Sequence, residues 1–266
     1  MHRKRVTVLS LNMMHGRHTV TPLVPVKVPR AKILRNLERI AALVKDSGAD
    51  IVALQEIDQH AWLSDYVDQL DQLQQMTGYP YAFFGDHVSA KKAVYGTAIL
   101  SKHPIKKAVS RPFRKTFPTP RKGFVFCEIE LPSGKVISVA SIHATWINIL
   151  SRATREKQMN EIIEHFRAID TPFILSGDFN SHFARPLDRS LETLVKGLPI
   201  FAHAHHDNSQ ITYPKTKRRI DWIFPSKHFK IIEYATIDSR VSDHLPLLAT
   251  LELTAHPERE ASKKKD

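Results

Sequence analysis

Apolar and polar positions recur along this chain with two periods, and the points where one gives way to the other predict its elements. Arg5 to Leu11 alternates, with Val6, Val8 and Leu11 read as pointing inward, and predicts a first strand ending at the polar Asn12. Thr19 to Pro29 is broken by Pro22, Pro25 and Pro29 and reads as an irregular loop. From Ala31 to Lys45, residues Ile33, Leu34, Leu37, Ile40, Ala41 and Val44 recur every three or four positions, as on an amphipathic helix that closes near Gly48. Ile51-Val-Ala-Leu54 is a short buried strand terminating in Gln55 and Glu56, and a second helix is expected over Ser64 to Met76. The pattern then turns to strands at Tyr81–Phe84, Tyr95–Leu100, Phe124–Leu131 and Val136–His143, the last two joined as a hairpin by Pro132-Ser-Gly134. A helix over Arg152 to Phe166, with Met159, Ile162, Ile163 and Phe166 on one face, precedes the apolar run Phe173-Ile-Leu175. Further strands are expected at Arg219–Phe224, Ile231–Ile237 and Leu245–Leu253. Strands in runs with helices between some of them predict an α/β sandwich of two packed sheets, without internal repeats.

Polar residues suited to metal or phosphate chemistry recur where these strands stop. Asn12 follows the first, Glu56 the second and His143 the hairpin; Asp178 and Asn180 follow Phe173–Leu175, and Asp243-His244 precede the last strand. Strand ends in packed sheets converge on one rim, so these side chains can share a cleft. Asp178 and Asn180, two apart, project together if extended geometry persists past Gly177. Asp is a hard oxygen ligand, and Asn offers both donor and acceptor, so the pair can orient a water or grip a phosphate beside a cation. Each residue also has an ordinary reading: Gly-Asp-Phe-Asn as a turn, Glu56 as a solvated strand end, His143 as a core histidine. The joint recurrence favours the cleft.

Composition narrows this picture. The chain has 266 residues, 42% hydrophobic and 25% charged, which suits a globular protein. One domain is expected over 1–254, with 255–266 a polar tail. No stretch reaches the roughly 18 to 20 apolar residues of a membrane span. The lone Cys127 excludes a disulfide framework or a multi-cysteine metal site, and it suits a reducing, cytoplasmic setting with Cys127 inertly packed. A net charge of +12 favours a polyanionic neighbour such as nucleic acid, an acidic lipid surface or a phosphorylated substrate. Discounting the terminal runs leaves basic clusters at Lys106-Lys107, Arg111–Lys122 and Lys215–Arg219, expected to flank the cleft mouth. Trp146, Ile147, Ile149 and Leu150 are candidates for contact with a membrane surface, Trp146 alternatively packing on the following helix. His203, His205 and His206 form a cluster that either binds a transition metal or lies in a solvated loop.

In order, the segments Ser10-Leu-Asn12, Leu54-Gln-Glu56, Tyr95-Gly-Thr-Ala-Ile-Leu-Ser101, Ser141-Ile-His143, Ser176-Gly-Asp-Phe-Asn180, Arg219-Ile-Asp-Trp-Ile223 and Ser242-Asp-His-Leu-Pro246 resemble motifs of the endonuclease/exonuclease/phosphatase superfamily. The resemblance spans nearly the whole chain. It implies a four-layer α/β/β/α sandwich of two mixed sheets flanked by helices, and hydrolysis of a phosphoester by an activated water. The implied cofactor is a divalent cation, magnesium with manganese as the alternative. Matched residue by residue, Asn12 and Glu56 are expected at the metal, with Asp243 either reaching a second metal position or supporting a histidine, and Asp178 is expected to orient the attacking water. Asn180 and His143 would bind the phosphate, Asp221 would orient a catalytic histidine, and His244 would act at the scissile phosphate. Tyr95, Arg121 and Lys122 join Asn180 and His143 as expected substrate contacts. The motifs do not specify a substrate. Met13-Met-His-Gly16 after Asn12 departs from abasic-site endonucleases, and the basic excess places nucleic acid ahead of a phospholipid or phosphorylated small molecule. An inactive binding module on the same fold is the reading of a different class. The protein is expected to act as a monomer.

Overall fold

A computed structural model of the chain describes residues 5–18, 26–115, 119–146, 152–183, 188–200 and 210–254. The first sheet is built from β1 (Arg5–Asn12), β2 (Ile51–Ala61), β3 (Tyr81–Ala90), β4 (Ala93–Ser101), β10 (Phe229–Thr236) and β11 (Leu247–Leu253) in the order β10-β11-β1-β2-β4-β3. The second runs β5-β6-β7-β8-β9, from β5 (Ile105–Pro112), β6 (Gly123–Glu130), β7 (Val136–His143), β8 (Phe173–Asp178) and β9 (Asp221–Pro225). Each sheet has a parallel pair: β1 with β2, joined through helix α1 (Arg30–Asp46), and β7 with β8, joined through α3 (Arg152–Arg167). A parallel pair needs such a crossover, because a hairpin cannot return the chain in the same direction.

Side-chain alternation sorts the apolar residues into three layers of packing. Val6, Val8, Ile51, Val125, Cys127, Ile137, Val139, Ile174 and Ile223 fill the space between the sheets. Leu9, Leu11, Val52 and Leu54 point outward from the first sheet onto Ile33, Leu37, Ile40 and Val44 of α1 and Leu70 and Leu73 of α2 (Gln69–Thr77), so Leu11 is not on the inward face expected for it: a period of two puts Asn12 there instead. Phe124, Phe126, Ile142 and Leu175 point outward from the second sheet onto Met159, Ile162 and Phe166 of α3 and Leu191 and Leu194 of α4 (Ser190–Gly197). The result is the expected four-layer α/β/β/α sandwich. Burial pushes the Cys127 thiol up to about 12, in keeping with a packing role.

The layer between the sheets changes character toward one end, and this positions the site. Along β1 the inward residues run Val6, Val8, Ser10, Asn12; along β7 Ile137, Val139, Ser141, His143; along β8 Ile174, Ser176, Asp178; and on β9 Ile223 gives way to Asp221. The period of two that makes a strand therefore carries one face from aliphatic through serine to ionisable residues. Gln55 bridges the sheets in the serine zone, donating to the Ser141 hydroxyl at 2.9 Å.

Several expectations are corrected. β2 does not stop at Glu56 but continues to Ala61 past a register shift between Gln55 and Ile57. The second helix starts at Gln69, not Ser64, because Asp65 and Tyr66 adopt left-handed φ (55° and 57°) and Asp68 caps it by accepting the Asp71 N–H. Strand β5 and helix α4 were not anticipated; β5 places Arg111 and Pro112 in a ladder with β6 rather than in a loop. The residues 201–208, 147, 149 and 150 and the tail 255–266 lie outside the described residues. Among the described residues no helix is long and apolar enough to cross a membrane.

Candidate active site

Register aligns the second sheet's polar ends in one transverse row. Gly123 pairs with His143, His143 with Asp178, and Asp178 with Asp221, so the three side chains stand side by side on the inner face. Gly177, just before Asp178, has φ +141°, and a Cβ there would sit 2.0 Å from the Ile142 carbonyl oxygen, so only glycine lets β7 and β8 approach here. The turn after β8 does not continue extended. Asn180 has φ +51°, its N–H donates to Asp178 Oδ1 at 2.9 Å, and its side-chain amide donates to the Ala144 carbonyl at 2.9 Å. Asn180 and Asp178 thus meet at one rim through a turn, not through strand periodicity. From the other sheet Asn12 donates to Asp178 Oδ2 at 3.1 Å. His244 closes the row, its Nδ1 2.8 Å from Asp221 Oδ2 and its Nε2 4.0 Å from Asp178 Oδ2.

Glu56 enters from the first sheet by a different device. It is the extra residue of the bulge in β2 and has φ +49°, which few non-glycine residues adopt. The bulge turns it toward the second sheet. His143 Nε2 and Lys122 Nζ lie 3.6 and 3.5 Å from its Oε1, and His15 Nε2 lies 3.6 Å from its Oε2. His15 is held in turn by Asp58 Oδ1 at 2.6 Å, and its carbonyl accepts from Gln69 at 2.8 Å. Behind His143, Arg155 of α3 is fully buried, with Nε and Nη2 on Asp188 Oδ2 at 3.0 and 2.7 Å and Nη1 on the Thr145 carbonyl at 3.2 Å. This buried pair fixes the segment that leaves β7.

The electrostatics divide the ionisable groups. Burial opposes ionisation of Glu56, but Lys122, then His15, His143 and His244, outweigh it and hold the carboxyl well below its usual range. Asp178 is pushed up to about 7 by burial and by Asp221 beside it. Burial works against a charge on His244, yet Asp221, then Asp178 and Asp243, raise it to about 10. His143 is driven well below its ordinary value by burial and then by the Lys122 ammonium. Near neutral pH the site therefore offers an ionised Glu56, an Asp178 poised to gain or lose a proton, a cationic His244 and a neutral His143.

These groups open on one pocket of about 300 Å³ lined by Asn12, Glu56, His143, Asp178, Asn180, Asp243 and His244, together with Trp146, His182, Tyr213 and Arg218. Asp221 stands behind His244. Three expected substrate contacts are placed elsewhere. Tyr95 does not line the pocket; its ring is half-buried and meets His15 edge-on at 5.1 Å. Arg121 is exposed and outside the lining, and Lys122 is buried against His143 and Glu56. Lys106 and Lys107 pair with Glu130 and Glu128 at the end of β5 remote from Gly123, so they do not flank the mouth. Trp146 is 59% exposed on the rim rather than packed on α3. His15, His182 and Tyr213 were not singled out from the sequence, whereas Arg218 belongs to the Lys215–Arg219 cluster expected at the cleft mouth. Of the three, only His15, beside Asn12 in Met13-Met-His-Gly16, carried a signal.

The residues present fit a hard divalent cation. Glu56 and Asp243 present carboxylate oxygens to the pocket, neither Glu56 oxygen accepts a hydrogen bond among the described residues, and Asn12 Oδ1 keeps a lone pair beyond the Met14 N–H it accepts at 3.0 Å. Asp178, Asp221 and His244 also bring ligand atoms within 4.8 Å of one another, but there Asp221 is engaged with His244.

A two-sheet α/β sandwich that gathers Glu56, Asp178, Asp221 and Asp243 with His143 and His244 at one end of its sheets is that of a phosphoester hydrolase. Residues 9–244 match the model of the Endonuclease/Exonuclease/phosphatase family, and the chain belongs to that family, whose members generally use a divalent metal. Solved structures agree on the fold. An endonuclease/exonuclease/phosphatase from Beutenbergia cavernae aligns with a TM-score of 0.73 at 20% identity, over 95% of this chain and 72% of that one. The mannosyl-6-phosphatase Bt3783 of Bacteroides thetaiotaomicron aligns with 0.69 at 17%, over 92% and 99%. Humanised D. rerio TDP2 aligns with 0.68 at 18%, over 94% and 99%. No curated protein matches the sequence significantly.

Proposed function

We propose that the protein is a magnesium-dependent phosphodiesterase, with manganese as the alternative ion, acting on nucleic acid in the cytoplasm. The observation that supports hydrolysis by an activated water is the position of Asp178. It is buried between Asn12, Asn180, His143 and the Asp221–His244 pair, with an affinity for protons near neutrality. In this reading Asp178 orients the attacking water and takes its proton. His143 and the remaining Asn180 N–H donate to the non-bridging oxygens, and His244, held by Asp221, stabilises charge at the departing oxygen. A cation held by Glu56 and Asp243, with Asn12 alongside, would neutralise charge on the phosphate when bound.

The preference for a polyanion rests on a groove of about 1090 Å³ that shares Asp243 with the pocket and is lined by Lys215, Lys217 and Arg240. None of these three cations is ion-paired with another described residue. The exposed Trp146 favours a second reading, a phosphoester in a lipid surface, where an aromatic side chain would enter the interface. The test has two parts. Hydrolysis of a chromogenic phosphodiester with and without magnesium separates an enzyme from an inactive binding module. DNA and RNA binding across a salt series, for the parent and for Lys215, Lys217 and Arg240 changed together to Ser, then addresses the substrate. Each lost phosphate contact should flatten the log–log slope by about 0.9 for duplex or about 0.7 for single strands. Equal slopes, with hydrolysis of phospholipid vesicles instead, would overturn the nucleic-acid reading.

A further inference from the structure

The buried lysine beside the pocket has a chemical consequence for the histidine it touches. Lys122 Nζ lies 3.3 Å from His143 Nδ1 and 3.5 Å from Glu56 Oε1, its side chain is 8% exposed, and it is not among the pocket-lining residues. An ammonium group has three donors and no acceptor. His143 Nδ1 must therefore accept, and the ring's one proton must sit on Nε2. That nitrogen lies 3.6 Å from both Glu56 Oε1 and Asp178 Oδ2, beyond a good hydrogen bond to either, so its N–H is directed between the two carboxylates into the pocket.

We propose that Lys122 is a positioning residue that fixes His143 in the Nε2–H tautomer, making it a dedicated hydrogen-bond donor at the reacting phosphate. The inference rests on the phosphodiesterase reading for its use in catalysis, but not for the tautomer itself. With Nδ1 occupied, His143 has no lone pair facing the pocket and cannot serve as the base, which leaves that part to Asp178. The same ammonium group restrains Oε1 of Glu56, so one cation orders a carboxylate and a donor that belong to different sheets. Gly123 makes the approach tight, since a Cβ there would lie 2.8 Å from His87 Nδ1 and 2.5 Å from the Arg111 carbonyl oxygen.

The experiment is two-bond ¹H–¹⁵N correlation of the imidazole nitrogens in metal-free protein, for the parent, Lys122→Met and Lys122→Arg, with steady-state kinetics beside it. The parent should show His143 Nδ1 unprotonated and Nε2 protonated. Lys122→Met should lose that pattern and drop kcat by about 10–100-fold with KM little changed, as when the group orienting an active-site side chain is removed. Lys122→Arg, also a donor without an acceptor, should restore the tautomer and part of kcat. A protonated Nδ1 in the parent, which needs no variant to observe, overturns the proposal. So does an unchanged tautomer in Lys122→Met with only KM raised, which would return Lys122 to substrate binding. Failure of every phosphodiester to turn over would overturn the phosphodiesterase reading while leaving the tautomer measurement to decide the role of Lys122.

Discussion

Asp221→Asn should separate the electrostatic part of the site from its shape. The substitution keeps the side-chain outline while removing the charge 2.8 Å from His244 Nδ1. His244 is raised from 6.5 to about 10 by Asp221 first and by Asp178 and Asp243 after it, against burial. At about 1.4 kcal/mol per pH unit, that rise corresponds to about 5 kcal/mol of net preference for the charged ring, which is what the three carboxylates supply beyond the cost of burial. Asp221 makes the only hydrogen bond among them to the ring, so its part should be about 2–3 kcal/mol, the usual scale for a hydrogen bond to a charged group. The sign follows from the direction of the shift. A histidine with a raised folded value contributes stability that is fully present below 6.5 and is lost as pH rises through about 10. Asp178 adds to the trend, because Asp221 helps to push it up to about 7, and above that pH the variant spares an ionised Asp178 its carboxylate neighbour. Urea unfolding of parent and variant in EDTA should therefore show a gap of about 2–3 kcal/mol near pH 6 that closes toward pH 10. NMR titration should find His244 falling from about 10 by about two pH units in the variant, the other two carboxylates still raising it. A gap that stays constant across this range, or His244 still titrating near 10 without Asp221, would refute the reasoning.

Three further outcomes are expected. Glu56→Gln should fold normally, lose most activity and recover part of it at raised magnesium, because the amide keeps the shape but not the charge that holds a hard cation; unaltered magnesium dependence would remove Glu56 from the metal. Asp178→Asn and His244→Ala should each lower kcat by about 10²–10⁴-fold while equilibrium substrate binding changes little, and loss of affinity alone would show the roles to be misassigned. Gly177→Ala should cost at least about 3 kcal/mol, from strain at φ +141° and the collision with the Ile142 carbonyl oxygen, so a melting temperature near the parent's would contradict the described approach of β7 and β8.

What the sequence disclosed, and what it hid, follows from how far each placement depends on local pattern. Asn12, His143 and Asp178 could be read because each stands where a run of apolar residues stops, and a strand's end states which rim a residue occupies; the face was harder to read, since Leu11 was placed inward where Asn12 stands, and serines separate the aliphatic from the ionisable positions. Asp221 and His244 were reachable through the motifs around them. Glu56 was found as a residue but misread as a strand end, since a bulge with φ +49° on a non-glycine residue leaves no mark in composition or period, and the strand resumes beyond it. Strand β5 was hidden because Lys106, Lys107 and Arg111 interrupt its apolar positions at a sheet edge, where one side faces solvent and charge is tolerated.

Lys122 marks the limit most sharply. In the chain it is one more cation in a basic run, indistinguishable from Arg121 beside it, and sequence reasoning gave both the same part at the substrate. The fold separates them: one side chain is exposed and the other is enclosed between a histidine from β7 and a glutamate from the bulge of β2. Long-range packing decides that difference, because β6 must lie against β7 and both sheets must close before Lys122 meets Glu56. A buried lysine is retained only where its charge is compensated, and here the compensating carboxylate also faces the pocket. The net charge of +12 thus conceals two kinds of cation. Those of the groove can be titrated by salt, and the one behind His143 cannot, since burial excludes the screening ions. Salt dependence measured on the parent should consequently report Lys215, Lys217 and Arg240 and be blind to Lys122.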